Sequence, residues 1–171
     1  MKKRSLLKFA SGQSAFVRLL SLSALIALID LLFKENIDSE PDENFPRELP
    51  RSGGTVTVFK KHNEGFAMGF MKEDSEAVKL IPAFISAAIL GRLQLLSGLR
   101  GHSFEKAGLA LALGGAISNL TDRFRKGYVV DYICVNKGIL KKIVVNMGDI
   151  AIALGFVIST LGNLMEPFKK N

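Results

Sequence analysis

Four apolar stretches constrain what this chain of 171 residues can fold into. They lie at about residues 16–33, 80–99, 107–123 and 147–166. Each approaches the roughly 20 mostly apolar residues that a helix needs to cross a bilayer. One such stretch could be a buried helix of a soluble protein, but too little of this chain remains to cover four. The sequence therefore predicts a single integral membrane domain over residues 1–171, with four transmembrane helices.

The charged residues fall between these stretches. Hydrophobic residues make up 48% of the chain, and 23 Lys and Arg against 16 Asp and Glu give a net charge of +7. A nucleic-acid binder could carry that charge, but it would need a basic face with aromatic or polar readers. The basic residues instead cluster at the two ends and in one short middle segment, and Trp is absent. We therefore expect no nucleic-acid partner, and the single Cys134 excludes an internal disulfide.

The basic residues also predict the orientation of the chain. With four spans, the N-terminus, the Gly98–Lys106 loop and the C-terminus lie on one side, and all three are basic. Basic segments flanking membrane helices stay in the cytoplasm. Residues 34–79 and 124–146 are then the outer segments.

The N-terminus carries a second signal. A cleaved signal peptide also begins with basic residues before an apolar run, as Lys2, Lys3 and Arg4 do here. However, Asp30 and a charged tail, not a small-x-small cleavage site, follow Ile29. We therefore expect an uncleaved anchor.

Both outer segments contain strand-like sequence. Residues 55–59 are rich in β-branched side chains, and residues 128–135 and 139–145 flank a plausible turn at 136–138. The acidic, proline-containing stretch 35–48 is predicted as loop. The expected fold is therefore an all-α membrane protein with a small β part: four transmembrane helices plus an extracytoplasmic β-cradle or hairpin.

Polar residues collect at the predicted outer membrane interface. Ionisable residues in a membrane span are costly and indicate a functional site by default. The candidates are Asp30, Asn119, Asp122, Arg123, Asp131, Asn146 and Asp149. Arg123 is expected to neutralise Asp122 by a bidentate contact, which leaves Asp131 and Asp149 as acids without an obvious basic partner.

Two carboxyls in one low-dielectric site cannot both ionise, so one keeps its proton. Such a pair can act as general base and general acid at once, which suits the attack of water on an amide. The alternative for Asp131 and Asp149 is that these interfacial acids simply face water.

The residues around these positions resemble a known family. The stretch Gly114–Ile133 is similar to the G-G-A-x-x-N-x-x-D-R-x-x-x-G-x-V-x-D-[FY] block of the bacterial lipoprotein signal peptidases (type II). Asn146–Ala151 resembles the family's N-x-A-D block, Asp30–Lys34 its D-x-x-[ST]-K block, and His62–Phe70 its N-x-G-A-A-F-[GS]-F block. The four blocks occur in family order, and the long one is highly specific.

The resemblance implies an intramembrane aspartic endopeptidase that removes signal peptides from diacylglyceryl-modified prolipoproteins, cutting before the lipidated cysteine. It implies Asp131 and Asp149 as the catalytic acids. The substrate-binding or supporting residues would be Asp30, Asn63, Asn119, Asp122, Arg123 and Asn146, with Asp122 structural. It further implies no metal or other cofactor, a mobile outer segment over the site, sensitivity to globomycin, and a place in the bacterial cytoplasmic membrane with the active site near the outer face. We expect a monomer in contact with membrane lipid.

Four positions depart from the family pattern. Phe33 stands where the family prefers Thr or Ser, and Ser118 where it usually has Gly. Met68 replaces a usual Phe. Gly148 replaces a usual Ala, and we expect it to loosen the start of the last helix at a cost of up to about 1 kcal/mol.

Other functions fit the sequence less well. A non-catalytic lipoprotein-binding paralogue is the nearest alternative. A small transporter would need polar residues through the bilayer depth. Here the middle and inner thirds of the spans are almost purely apolar, and Arg92 is the main exception. We expect Arg92 to snorkel to the cytoplasmic headgroups. Cys134 as nucleophile would need a base, and of the two histidines only His62 lies on its side of the membrane. A zinc site faces the same shortage of His and Cys ligands. A Ser-Lys dyad would need a serine next to a lysine in a buried setting, and we expect none.

Overall fold

The structure is a computed structural model that describes residues 2–66, 70–71, 73–138, 141 and 143–165, with side chains described from residue 12 onward. The helices are α1 (Lys2–Ser39), α2 (Ala77–Ser97), α3 (Ser103–Arg125) and α4 (Met147–Met165), with a short 3-10 turn at Asp42–Asn44. The strands are β1 (Arg47–Glu48), β2 (Val56–Asn63), β3 (Val129–Val135) and β4 (Val144–Val145).

Three helices in the described part of the chain are long and apolar enough to cross a membrane: Gly12–Ser39, Ala77–Ser97 and Met147–Met165. These three predicted spans are confirmed. The remaining helix, α3, forms where the sequence predicts it, but small and polar residues dilute its apolar character. It lies in the middle of the bundle and packs against α1, α2 and α4. Because the other helices surround it, α3 can bury polar side chains without exposing them to lipid.

Glycines let α3 and α4 approach each other closely. A Cβ placed on Gly108 would lie 2.4 Å from the backbone nitrogen of Ser159, and one on Gly115 would lie 2.2 Å from the carbonyl oxygen of Gly148. A Cβ on Gly155 would lie 2.5 Å from the carbonyl oxygen of Gly108. Such distances leave no room for any side chain, so the helix pair depends on glycine at these positions.

The first helix is longer than predicted. Its apolar run suggested an end near residue 33, but α1 continues to Ser39. Lys34, predicted to open the outer segment, instead belongs to α1, and its side chain is fully buried within the helix bundle. It pairs with Asp30 one turn earlier, at 2.9 Å, and with Asp122 of α3, at 3.3 Å. These two carboxylates allow the lysine to stay within the bundle.

Arg92 of α2 has a partner that the sequence did not predict. Its Nε and Nη2 donate to Glu105 Oε1 at 2.9 and 2.7 Å, while its side chain stays 47% exposed. Glu105 is buried near the start of α3. The ion pair thus joins α2 to α3 at the end of the bundle opposite Asp131 and Asp149.

The four strands form one antiparallel sheet in the order β1-β2-β3-β4. The predicted strands at 55–59 and 128–135 are confirmed, and the first extends to Asn63. From the predicted strand 139–145 only Val144–Val145 is seen as strand, while residues 139, 140 and 142 lie outside the described residues.

Hydrophobic contacts hold the sheet against the end of α1. Val58, Val130 and Tyr132 pack with Ile37 in one buried cluster. Residue 129 follows α3 after a three-residue turn, so β3 starts directly at the end of that helix. This arrangement brings Asp131 of β3 to the ends of α1, α3 and α4.

Candidate active site

A cleft of about 350 Å³ opens where the sheet meets the helix ends. Its walls come from α2, α3 and α4, from the strands β2, β3 and β4, and from the segments beside them. Its polar lining consists of Asn63, Asn119, Arg123, Asp131 and Asp149, and its apolar lining includes Phe66, Pro82, Ala116, Val129, Ile152 and Ala153. The cleft thus combines the two candidate acids with a long apolar surface.

Two asparagine amides hold the Asp131 carboxyl. Asn63 Nδ2 donates to Asp131 Oδ2 at 3.0 Å, and Asn146 Nδ2 donates to Asp131 Oδ1 at 2.8 Å. The backbone N–H groups of Gly65 and Asp149 fix both amides, because each donates to the oxygen of one asparagine, at 3.1 and 2.8 Å. An N–H can only donate, so the NH₂ group of each amide must turn toward Asp131.

The Asp149 carboxyl is held in a similar way at the start of α4. Asn119 Nδ2 donates to its Oδ1 at 2.8 Å, and the backbone N–H of Asn146 donates to its Oδ2 at 3.2 Å. Asn146 therefore contacts both acids, Asp131 through its side chain and Asp149 through its backbone. This shared contact sets the position of one carboxyl relative to the other.

Burial and a neighbouring charge change the acidity of Asp131. The residue is 2% exposed. Burial first, and then the charge of Asp149, raise the pKa of Asp131 from 3.8 to about 6, against the lowering effect of the hydrogen bonds from Asn63 and Asn146. Asp131 thus binds a proton up to nearly neutral pH, which is the behaviour expected of one member of an acid–base pair.

Behind the two acids lies a polar cluster centred on Lys34. Its Nζ donates to Ser118 Oγ at 3.0 Å and to Asn119 Oδ1 at 2.7 Å, in addition to its ion pairs with Asp30 and Asp122. Lys34, Asp30 and Ser118 are almost completely buried. The cluster joins α1 to α3 below the floor of the cleft.

Asp30 extends this cluster toward the sheet. Ser118 Oγ donates to Asp30 Oδ2 at 2.6 Å, and Tyr132 Oη donates to Asp30 Oδ1 at 3.0 Å. The hydroxyl of Tyr132 in turn accepts the backbone N–H of Met147 at 3.3 Å. Asp30 thereby fixes both the strand that carries Asp131 and the first turn of α4, which carries Asp149.

The predicted pairing of Asp122 with Arg123 is wrong. Asp122 lies 3.3 Å from Lys34 Nζ and 3.8 Å from Lys126 Nζ. Arg123 turns to the cleft instead, where its Nη2 donates to the carbonyl oxygen of Gly65 at 2.7 Å. Successive residues of a helix point about 100° apart, so neighbours in sequence do not face each other.

The expectation that no serine lies beside a buried lysine is also wrong, since Ser118 and Lys34 are in contact. This pair nevertheless lacks the geometry of a Ser-Lys dyad. Four oxygens lie within 3.3 Å of the Lys34 ammonium, which is protonated and has no lone pair with which to act as a base. The hydroxyl proton of Ser118 points to Asp30. Ser118 is also absent from the lining of the cleft.

Three of the departures from the family pattern have a visible place in the site, and Ser118, hydrogen-bonded to Lys34 and Asp30, is one of them. The ring of Phe33 stacks on Tyr132 with centroids 6.4 Å apart. A Cβ at Gly148 would lie 2.7 Å from Asp30 Oδ2 and 3.1 Å from the carbonyl oxygen of Gly115. Gly148 therefore lets α4 pack closely against Asp30 and Gly115. The sequence had suggested only that this glycine loosens the start of the helix. Met68 lies outside the described residues.

All the predicted site residues meet at this end of the bundle, either in the cleft or directly behind it. Three participants were not predicted: Lys34, Ser118 and Tyr132. For Lys34 a signal existed in the sequence, because a lysine four residues after Asp30 in an apolar helix places two opposite charges on one face. Among the described residues, no cluster of three His, Cys, Asp or Glu side chains could hold a metal ion.

Comparisons with known proteins identify relatives of this chain. The lipoprotein signal peptidase of Moorella thermoacetica is 33% identical over 141 residues, covering 81% of this chain and 87% of the relative. That of Actinobacillus succinogenes is 32% identical over 177 residues and covers 99% of this chain and 98% of the relative. That of Haemophilus ducreyi is 30% identical and covers 91% and 96%.

Two solved structures share the fold. Both are bacterial membrane enzymes, determined at 1.9 and 2.3 Å resolution, with TM-scores of 0.69 and 0.65 and sequence identities of 20% and 22%. Each comparison covers 87% of this chain and more than nine-tenths of the other. With its three apolar helices, the chain is a multi-pass bacterial membrane protein. The family model of signal peptidase (SPase) II matches residues 22–165, and the chain therefore belongs to this family of peptidases.

Proposed function

We propose that the protein is an aspartic endopeptidase in which Asp131 and Asp149 activate water against a peptide bond. The observation that carries this proposal is the placement of both carboxyls in one cleft, joined by Asn146 and each held by two hydrogen-bond donors. Family membership supports a peptidase. Among the described residues that line the cleft, Asp131 and Asp149 are the only two with carboxyl side chains.

The chemistry requires one ionised and one protonated carboxyl. The ionised acid takes a proton from water as the water oxygen bonds to the amide carbon, and the protonated acid gives its proton to the carbonyl oxygen. The resulting gem-diol then collapses. The C–N bond breaks, the nitrogen takes the proton from the first acid, and a hydroxyl proton returns to the second. Water and amide have become a carboxylic acid and an amine, and both acids are as they began.

The proposed substrate is a prolipoprotein with a diacylglyceryl group on the cysteine after the cleaved bond. The curated relatives are lipoprotein signal peptidases, and the apolar wall formed by Pro82, Ile152 and Ala153 suits a signal-peptide helix that lies in the membrane. Arg123 and Asn63 are placed to position the substrate backbone, and globomycin is expected to compete for the same cleft.

We further propose that α3 is the fourth transmembrane helix of a single integral membrane domain. The N- and C-termini then lie in the cytoplasm and the cleft near the outer face of the membrane. The basic residues at the chain ends and in the 98–106 loop support this orientation. We also propose that the protein acts as a monomer.

A gel-shift assay in detergent with a diacylglyceryl-modified prolipoprotein tests the proposal. Wild type should cleave, and Asp131→Asn and Asp149→Asn should each lose all measurable activity while remaining folded. Asp42→Asn is the matched control, because the Asp42 side chain is 90% exposed and does not line the cleft. A wild type that binds the lipoprotein without cutting it would favour the non-catalytic paralogue, and loss of activity with a chelator would refute the metal-independent mechanism.

A further inference from the structure

The two acids of the cleft differ in what stands behind them. The donors to Asp131 are the amides of Asn63 and Asn146, whose oxygens accept from backbone N–H groups. One donor to Asp149 is the amide of Asn119, whose oxygen accepts from the ammonium of Lys34. Only Asp149 is therefore linked through a single side chain to a buried cation.

The orientation of Asn119 follows from this contact. An ammonium has three donors and no acceptor, so the oxygen of the amide must face Lys34 Nζ, at 2.7 Å. The NH₂ group must then face Asp149 Oδ1, at 2.8 Å. Because the cation polarises the amide, the N–H that reaches Asp149 is a stronger donor than that of an amide facing a backbone group. A donor of this kind favours the ionised form of the acid that accepts it.

The charged groups around Asp149 come from each element beside it. Lys34 and Asp30 belong to α1, Arg123 to α3, and Asp131 to β3. Arg123 acts on both acids of the cleft, so it does not distinguish them. Lys34 also acts on both acids through space, but its hydrogen-bonded connection through Asn119 leads to Asp149 alone, and this connection distinguishes the two acids.

We propose that Lys34, acting through the side-chain amide of Asn119, is a positioning residue that makes Asp149 the carboxylate that activates water and leaves the proton on Asp131. This inference rests on the aspartic mechanism proposed above. Asp149 then takes the proton from water, and Asp131 gives its proton to the carbonyl oxygen. The raised pKa of Asp131, to about 6, is consistent with that order of ionisation.

The pH profile of kcat separates this role from a purely structural one. Removing the charge in Lys34→Met should move the acidic limb of the profile to higher pH by about one unit, since a cation near a carboxyl favours its ionised form by at least that much. Activity lost at pH 6 should then return at pH 8. Lys60→Met is the matched control, because Lys60 contacts Asp42 and the carbonyl oxygen of Glu40 on the outer surface, and its profile should be unchanged.

Two further variants protect the test against misfolding. Lys34→Met leaves Asp30 buried without its cation, so Asp30→Asn/Lys34→Met restores the charge balance of the cluster. Asn119→Leu leaves both ion pairs of Lys34 in place and breaks only its link to Asp149. Asp30→Asn/Lys34→Met and Asn119→Leu should both move the acidic limb of the kcat profile to higher pH, as Lys34→Met does. A lower kcat at every pH with an unmoved limb, or movement of the basic limb alone, would overturn the proposal.

A second measurement needs no substrate. In protein labelled with ¹³C-aspartate, carboxyl resonances assigned with the Asp131→Asn and Asp149→Asn variants report which acid ionises at lower pH. We expect Asp149 to ionise first in wild type, and the interval between the two acids to narrow in Asn119→Leu. The opposite order would refute the inference even if cleavage is confirmed. If Asp149 ionises before Asp131 but the protein cleaves no prolipoprotein, the proposed function is refuted and the order of ionisation stands.

Discussion

Replacing Gly155 by alanine should destabilise the protein although alanine is the better helix former. Gly155 lies in the middle of α4, where a Cβ would come within 2.5 Å of two backbone atoms of α3, the nitrogen of Ala112 and the carbonyl oxygen of Gly108. Ordinary contacts begin near 3.4 Å. The two helices would therefore have to separate by about 1 Å at this point, which weakens the dispersion contacts along the whole interface.

The magnitude follows from two opposing effects. Overpacking a close contact costs about 3 kcal/mol at the upper end of its usual range, and the exchange of glycine for alanine in a helix returns about 1 kcal/mol. The net loss in the free energy of unfolding is therefore about 2 kcal/mol. Gly91→Ala is the matched control, since Gly91 is also inside a helix but a Cβ there would meet nothing within 4 Å. That variant should gain up to about 1 kcal/mol.

The chain offers its own probe for this measurement. Cys134 is the single thiol, and it is 2% exposed in β3. Its labelling by a thiol-reactive dye across an SDS titration in mixed micelles reports the free energy of unfolding. A Gly155→Ala variant as stable as Gly91→Ala would refute the close approach of α3 and α4, because both substitutions would then act through helix propensity alone.

Three other substitutions test the site and the bundle. The pKa of Asp131 is raised to about 6, so this residue contributes most to stability below pH 4. As the pH rises through 6, that contribution to the free energy of unfolding falls by about 3 kcal/mol. The free energy of unfolding of Asp131→Asn, measured over the same pH range, should lack this fall. Gly148→Ala should lower kcat on the order of tenfold in the gel-shift assay, because its methyl would displace Asp30; an unchanged kcat would contradict the packing role. Arg92→Leu should cost about 2 kcal/mol in the thiol-labelling assay, since it leaves Glu105 buried without its arginine, and Arg92→Leu/Glu105→Gln should recover most of the loss.

The buried cluster gives a physical reason for the position of both acids. Asp30 holds Tyr132, which neighbours Asp131 in β3, and the hydroxyl of Tyr132 holds the backbone of Met147 at the start of α4. Lys34 keeps Asp30 neutralised in surroundings where a lone carboxylate would be costly. The cleft is therefore supported from below by charges that are not part of its lining.

The sequence by itself predicted the helices, and it singled out the two acids that the structure brings into one cleft. A run of about 20 apolar residues is a local property that needs no partner to be recognised, and three of the four predicted spans are confirmed on that basis. Asp131 and Asp149 stood out as acids without an obvious basic partner, but that inference assigned Arg123 to Asp122, a pairing that the structure does not contain. The strands at 55–59 and 128–135 were also readable from their β-branched residues.

Only the tertiary structure decided which charges meet. Asp122 was predicted to pair with its neighbour Arg123, yet it pairs with Lys34 of another helix. Ser118 and Asp30 are 88 positions apart in the chain and 2.6 Å apart in space. Such pairings depend on the rotation of each helix about its axis, and that rotation is fixed where glycines let the backbones of α3 and α4 touch. Apolar runs specify that a helix enters the membrane, whereas the packing of several helices together specifies which of its faces meets a partner.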